Sequence, residues 1–226
     1  MAERIVVLSG AGLSAESGLG TFRDVGGLWS RYDLAEVATP EGYAADPAKV
    51  LAFYDARRAN MRASAPNAAH DALMRLSRRD GVTLVTQNVD DLLERAGARG
   101  VIHMHGRLDR ALCHACGHRW DAPATMRTDD PCPACAAMAT RPDVVWFGEM
   151  PYAMDVVEER LAMADLFVSI GTSGTVYPAA GFVEAARHAG AATLELNLEA
   201  SGGPFDAVRE GPATRIVPDW VAEVMR

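Results

Sequence analysis

Short β-branched runs alternate with segments of helical hydrophobic spacing along most of this chain. Ile5–Ser9 reads Ile-Val-Val-Leu-Ser, the pattern of a strand buried on both faces. Similar runs stand at Val82–Thr86, Leu166–Ile170, residues 193–197 and residues 214–217. Helical patterns occupy residues 67–79, 89–96, 153–164 and 178–189. Strands alternating with helices predict an α/β fold built on an open, mostly parallel, doubly wound sheet. Two stretches break the rhythm. Residues from about 24 to 65 read as helix and loop, and residues from about 110 to 141 hold all four cysteines together with Pro123, Pro131 and Pro133. We therefore expect a large domain made of residues 1–24, 66–109 and 142–226. A smaller lobe would combine a helical module (25–65) with a cysteine-bearing module (110–141).

The cysteines are spaced Cys113-x2-Cys116 and Cys132-x2-Cys135, with fifteen residues between the pairs. Two such knuckles offer four thiolates to one tetrahedral zinc ion. Two disulfides are the alternative, but a chain of 226 residues can bury a core without such staples. Four thiolates leave no open coordination position, so the metal is expected to be structural and the chemistry to lie elsewhere.

Composition narrows the function classes. Hydrophobic residues make up 49% and charged residues 23%, ordinary for a globular protein. No apolar run is long enough for a membrane helix, and the first residues lack the pattern of a secretory signal. A net charge of −8 argues against sequence-independent nucleic-acid binding. A cytoplasmic enzyme is expected, with no membrane or direct nucleic-acid partner. The oligomeric state is open, a monomer being the simplest reading.

The first strand runs into Gly10-Ala11-Gly12-Leu13-Ser14-Ala15, which fits the Gly-x-Gly-x-x-Gly/Ala dinucleotide pattern after a strand and before an expected helix. Such glycines let backbone N–H groups approach a pyrophosphate. The acidic residue that holds the adenosine ribose in ordinary dehydrogenases has no counterpart here. Residues 30–33 follow no second strand.

Further motifs make the pattern specific. Gly10-Ala11-Gly12-x-Ser14-x-x-Ser17-Gly18-x-x-Thr21-Phe22-Arg23, Thr86-Gln87-Asn88-Val89-Asp90, His105-Gly106, the cysteine knuckles, Val144-Val145-Trp146-Phe147-Gly148-Glu149, Gly171-Thr172-Ser173 and Asn197-Leu198-Glu199 occur in this order. In that order they resemble the sirtuins over nearly the whole chain. The resemblance implies a Rossmann-like NAD-binding domain with a zinc module and a helical module in the small lobe. It also implies NAD-dependent removal of acyl groups from protein lysines, giving nicotinamide and O-acyl-ADP-ribose. Sirtuins often carry proline or arginine where Gly20 stands, and histidine or asparagine near Asp143, which concerns local loop shape.

Carried over residue by residue, the resemblance places Gly10, Ala11, Gly12, Phe22 and Arg23 around the cofactor. Gln87, Asn88 and Asp90 would line nicotinamide and its ribose, with Asn88 also catalytic. Gly171, Thr172, Ser173, Asn197 and Ala213 would hold the distal phosphate and adenosine. His105, directly before Gly106, would be the general base rather than His103, since a neutral imidazole accepts a hydroxyl proton near pH 7. Val145, Phe147 and Gly148 would pair with the substrate peptide, and residues near 174–177 would pair on its other side. From the residues alone, an Asn/Asp cap on the helix near Val89 accounts for one of Asn88 and Asp90.

Tyr54 and Arg57 stand three residues apart and share a face if that segment is helical. A solvated arginine beside a core tyrosine is the plain reading. The Tyr-x-x-Arg pair also resembles class III sirtuins, which prefer succinyl-, malonyl- and glutaryl-lysine, and a guanidinium with a phenol suits a terminal carboxylate. Two rival functions use the same features. One is an ADP-ribosyltransferase, in which nicotinamide leaves without loss of acyl-lysine. The other is a non-catalytic module that binds NAD or ADP-ribose.

Overall fold

The computed structural model describes residues 3–20 and 33–226. Phe22 and Arg23, expected beside the cofactor, lie outside the described residues. Among these the strands are β1 (Ile5–Ser9), β2 (Val82–Thr86), β3 (Ile102–His103), β4 (Gly106–Cys113), β5 (Arg119–Asp121), β6 (Thr140–Val144), β7 (Leu166–Ile170), β8 (Ala192–Asn197) and β9 (Ala207–Glu210). The α-helices are α1 (Leu34–Val37), α2 (Pro40–Ala45), α3 (Pro47–Ala63), α4 (Ala68–Leu76), α5 (Leu92–Arg95), α6 (Met154–Ala162), α7 (Phe182–His188) and α8 (Ala213–Val224).

Six strands form one parallel sheet in the order β3-β2-β1-β7-β8-β9. Counted within that sheet alone, this is the 3-2-1-4-5-6 order of the doubly wound dinucleotide-binding fold. Every residue of β1 is buried because both of its faces are covered. Ile5 and Val7 pack with Leu73, Leu76, Val217 and Trp220 beneath α4 and α8. Val6 and Leu8 face the other way, toward Val157 and Leu161 of α6 and Phe182 and Val183 of α7. The period-2 alternation of side chains thus divides one apolar run between two cores.

Three elements differ from the expected pattern. Residues 214–217 are helical, not a strand. Ile216, Val217, Trp220 and Val221 form the buried face of α8. The sixth strand is instead β9, a short and largely exposed edge with little apolar signal. The expected helix after Gly12 is replaced by two single 3-10 turns, Ala11–Leu13 and Ala15–Ser17.

A second sheet, antiparallel in the order β5-β4-β6, carries the cysteine module and extends past the expected 110–141 span on both sides. Helix α3 packs on it. Asp46 caps that helix by accepting from Lys49 N–H at 3.0 Å, and Pro47 opens its first turn. Val50, Phe53, Tyr54 and Met61 pack with Leu108, Val144 and Trp146, and Leu51 packs with Ala111, Ala122 and Met126, so the two interruptions are joined by a shared core. Arg58, fully buried, ties α3 to β4 through the Leu108 carbonyl at 2.7 Å, and its ion-pair partner Asp55 accepts from Met126 N–H of the cysteine module at 3.0 Å. No helix among the described residues is long and apolar enough to cross a membrane.

Candidate functional site

The topology delivers the expected residues to one edge. Gly10 to Gly12 follow β1, Gln87 to Asp90 follow β2, His105 follows β3, Gly171 to Ser173 follow β7, and Asn197 ends β8. All lie at the carboxyl ends of parallel strands, and strand order reverses between β1 and β7, where such sheets bind ligands. Ala213 opens α8 beside them. Its neighbour Thr214 donates from N–H and hydroxyl to the Glu16 carboxylate at 3.0 and 2.8 Å, pinning the helix start to the 15–17 turn.

The glycines have a tighter task than phosphate approach. Gly10 N–H donates to the Ile170 carbonyl and Gly12 N–H to the Gly171 carbonyl, both at 2.9 Å. A Cβ on Gly10 would lie 2.8 Å from Gly171 O, and one on Gly12 2.7 Å from Gly171 Cα. These two N–H groups therefore lock the loop after β1 onto the loop after β7 rather than aim at a phosphate. Asn197 serves the same loop: its amide donates to Thr172 O at 2.9 Å and to Glu195 at 3.1 Å. Its Oδ1 accepts from Leu198 N–H at 3.0 Å, leaving only a lone pair of that oxygen for a ribose hydroxyl.

Ser14 is the hub of a buried polar cluster. Its hydroxyl donates to Asp90 Oδ2 at 2.9 Å, receives the Asn88 amide at 3.2 Å, and meets His70 Nε2 at 3.3 Å. His70 Nδ1 accepts from Asn67 N–H at 3.2 Å, so the ring proton must sit on Nε2 and point at Ser14. Burial lowers the His70 pKa to about 4. Asp90 Oδ1 accepts from Leu92 N–H at 3.1 Å, so of Asn88 and Asp90 it is Asp90 that meets the start of the helix, although the cap position itself is Asp91, which makes no side-chain cap bond. Burial raises the Asp90 pKa, opposed by the hydrogen bonds from Leu92 and Ser14. Asn88 also donates to Gly10 O at 3.0 Å. Both its amide hydrogens are thus engaged, and what it offers a ligand is its carbonyl oxygen.

The two histidines at the end of β3 differ sharply. His105 Nδ1 faces the Gln87 carbonyl at 3.1 Å. A carbonyl only accepts, so Nδ1 carries the proton and Nε2 keeps a free lone pair. His103 has a partner at each nitrogen, the Asn88 carbonyl at 3.2 Å and the Glu94 carboxylate at 2.6 Å. Gly106 follows with φ +80°, and a Cβ there would lie 2.1 Å from Asp143 O, so only glycine lets the chain turn into β4 at this point.

At the small-lobe end, Tyr54 is buried beneath Trp146, whose indole N–H donates to the phenol oxygen at 3.0 Å. The Arg57 guanidinium sits 5.5 Å from the Tyr54 ring centre and 5.7 Å from that of Phe53. It is half-buried, and burial lowers its pKa, so the arginine is not simply solvated. The segment expected to be a peptide-pairing strand ends as a strand at Val144. Val145 and Phe147 donate their N–H groups to His105 O and Ala38 O, both at 2.9 Å. Pairing with a peptide there must use carbonyls or Gly148.

The four cysteine sulfurs lie within 4.8 Å of one another. Cys113 and Cys135 sulfurs are 3.7 Å apart and those of Cys116 and Cys132 3.8 Å, far beyond a disulfide. A tetrahedron with Zn–S bonds of about 2.3 Å has edges of roughly 3.8 Å, so the cluster fits one zinc ion.

The Sir2 family model matches residues 10–178. The chain belongs to the Sir2 family. Its Sir2 relatives include an "NAD-dependent protein deacylase" of Caulobacter vibrioides, 56% identical over 98% of this chain and 97% of that one. The Escherichia coli K12 protein of the same name is 50% identical over 99% and 82%. Among solved structures, a Sir2 homologue bound to NAD has a TM-score of 0.90 at 37% identity, covering 99% of this chain and 90% of that one. A Sir2 homologue mutant bound to ADP-ribose reaches 0.92 at the same identity, covering 99% and 92%.

Within this Sir2 chain the structure gathers Gly10, Ala11, Gly12, Gln87, Asn88, Asp90, His105, Gly171, Thr172, Ser173 and Asn197 at one sheet edge. Tyr54 and Arg57 lie on α3 in the small lobe. The sequence reading missed His70. The Asn67-x-x-His70 spacing was its available signal, because it makes a capping box at the start of α4 and turns the ring toward Ser14.

Proposed function

We propose that this Sir2 protein is an NAD-dependent protein-lysine deacylase that favours acyl groups ending in a carboxylate. The observation that carries the first half is the free Nε2 of a half-buried His105 beside the Asn88 and Asp90 cluster. NAD supplies the electrophilic ribose carbon and nicotinamide as leaving group. Asp90, with both oxygens already accepting, has further lone pairs for a carboxamide N–H. The Asn88 carbonyl accepts from a ribose hydroxyl. The acyl-lysine carbonyl oxygen would attack the electrophilic ribose carbon as nicotinamide leaves. His105 Nε2 would then take a proton from a ribose hydroxyl as that oxygen attacks the acyl carbon of the resulting imidate, and water would complete release of the lysine amine. The Gln87 carbonyl holds the ring in the required tautomer. Burial of this edge strengthens each polar contact and fixes the reacting groups in place.

The second half rests on Tyr54 and Arg57. A carboxylate at the acyl terminus would meet a guanidinium and a phenol together, whereas acetyl would leave both facing nothing of its own. The four-cysteine cluster holds zinc as a structural element remote from this edge. Mass spectrometry of matched acetyl-, malonyl- and succinyl-lysine peptides, with and without NAD, tests both halves. Loss of the acyl group only with NAD, fastest for the acidic acyls, is expected. Nicotinamide release without acyl loss would instead favour an ADP-ribosyltransferase.

A further inference from the structure

Tyr54 does not stand alone in its core. The Trp146 indole N–H, buried with it, donates to the phenol oxygen at 3.0 Å. An indole N–H can only donate. Arg57, whose guanidinium lies 5.5 Å from the Tyr54 ring centre, likewise has only donors to give. The phenol oxygen is therefore an acceptor toward both neighbours, and its own proton is left to donate elsewhere. A tyrosine so arranged is a donor toward any ligand that reaches it, and a carboxylate, which only accepts, is the matching partner.

Trp146 is itself held. The Arg141 guanidinium lies 3.4 Å from the indole ring centre, stacked against the π-face. Arg141 pairs with both oxygens of Glu149 at 2.6 and 2.9 Å and donates to Val144 O at 2.7 Å. Glu149 accepts in turn from Trp146 backbone N–H at 2.8 Å. A cation on the ring face draws electron density from the indole and strengthens its N–H as a donor. Plain core packing needs none of these polar contacts.

We propose that Trp146, clamped by Arg141 and Glu149, is a positioning residue for acyl selectivity that fixes the Tyr54 hydroxyl as a donor to a substrate carboxylate. This rests on the acidic-acyl reading given above. Phe147, the next residue, is exposed beside the segment where the peptide is expected. The same short stretch therefore links peptide contact to the acyl end of the site.

A double-mutant cycle on the zinc-loaded full chain tests this, with succinyl- and acetyl-lysine versions of one peptide. In Trp146→Phe the ratio of desuccinylation to deacetylation kcat/KM should fall about 2- to 13-fold, the worth of one net hydrogen bond, through KM for the succinyl peptide. In a Tyr54→Phe background the same change should leave that ratio where Tyr54→Phe put it. Structural damage from the smaller ring acts in both backgrounds and cancels. An equal fall in both backgrounds, or no fall in either, overturns the positioning role alone. Wild type preferring acetyl-lysine overturns the acidic-acyl reading and this proposal with it. Should Trp146→Phe fail to fold, the wild-type indole N–H resonance decides. It should move on titration with the succinyl peptide and stay with the acetyl peptide, and indifference to both overturns the proposal.

Discussion

The Nδ1 of His105 lies 3.1 Å from the carbonyl oxygen of Gln87, and that one contact fixes which ring nitrogen is basic. Burial lowers the His105 pKa below its usual 6.5, while the bond to Gln87 pulls modestly the other way. The base is active when deprotonated. Turnover should therefore be flat around neutral pH and fall only on the acid side, with a midpoint below 6.5. His105→Ala should keep NAD binding and cost about 10²–10⁴-fold in turnover. His103→Ala, which removes a ring committed to Asn88 and Glu94, should act mainly on stability. Rate–pH profiles and denaturation of both variants check this, and a larger kinetic loss at His103 sinks the assignment.

Strands β1, β2 and β7 were legible to the residue because a strand covered on both faces reads as a near-continuous apolar and β-branched run. The same rule misled at residues 214–217, where Ile216 and Val217 begin a helical face completed four residues on by Trp220 and Val221. Pro218, inside α8, helped hide that period. The functional motifs could be found because they sit at strand ends. What each side chain offers could not, because it depends on partners distant in sequence. Asn197 was expected to bind ribose, yet its amide is engaged by Thr172 and Glu195. Arg57 and Arg58 are adjacent and alike in sequence, and only the fold shows that Arg58 is the one fully buried.

Zinc should be present at about one ion per chain by elemental analysis, since the sulfur spacing of 3.7–3.8 Å already matches the tetrahedron. Cys113 and Cys132 are buried with Ala139, so the metal closes the end of the second sheet. Cys132→Ala should lose the ion and unfold that sheet, because metal binding and local folding share one free energy. A metal-free chain with intact fold and full activity would remove the claim.

His70 makes stability depend on pH. Its folded pKa of about 4 lies below the unfolded value near 6.5, so the unfolded state binds more protons between those limits. Stability is full above pH 6.5, is lost as pH falls through that window, and levels off below 4. The loss attributable to this ring is on the order of 3 kcal/mol across the whole window. His70→Asn should flatten the difference in urea midpoint between pH 7.5 and pH 5 relative to wild type. An unchanged slope would show that Ser14 and Asp90 are held by other means.

Arg57 is the sharpest test of acyl choice. Its guanidinium lies over the Tyr54 ring in a half-buried setting, where a carboxylate could be met with little competing water. Methionine keeps the length and apolar stem of the side chain and removes only the charge and donors. Losing one member of a desolvated charge pair costs about 2–5 kcal/mol, or roughly 30-fold and upward. Arg57→Met should therefore lower the ratio of desuccinylation to deacetylation by about 30-fold or more, expressed mainly in KM. Arg57→Lys should recover part of the loss, since a point charge returns without the planar fork. The complementary substrate change is a succinamide in place of succinyl, which removes the charge from the other partner. If the pair is the determinant, wild type should discriminate strongly between succinyl and succinamide while Arg57→Met should not. Equal discrimination by both enzymes would place the acyl preference elsewhere in the site.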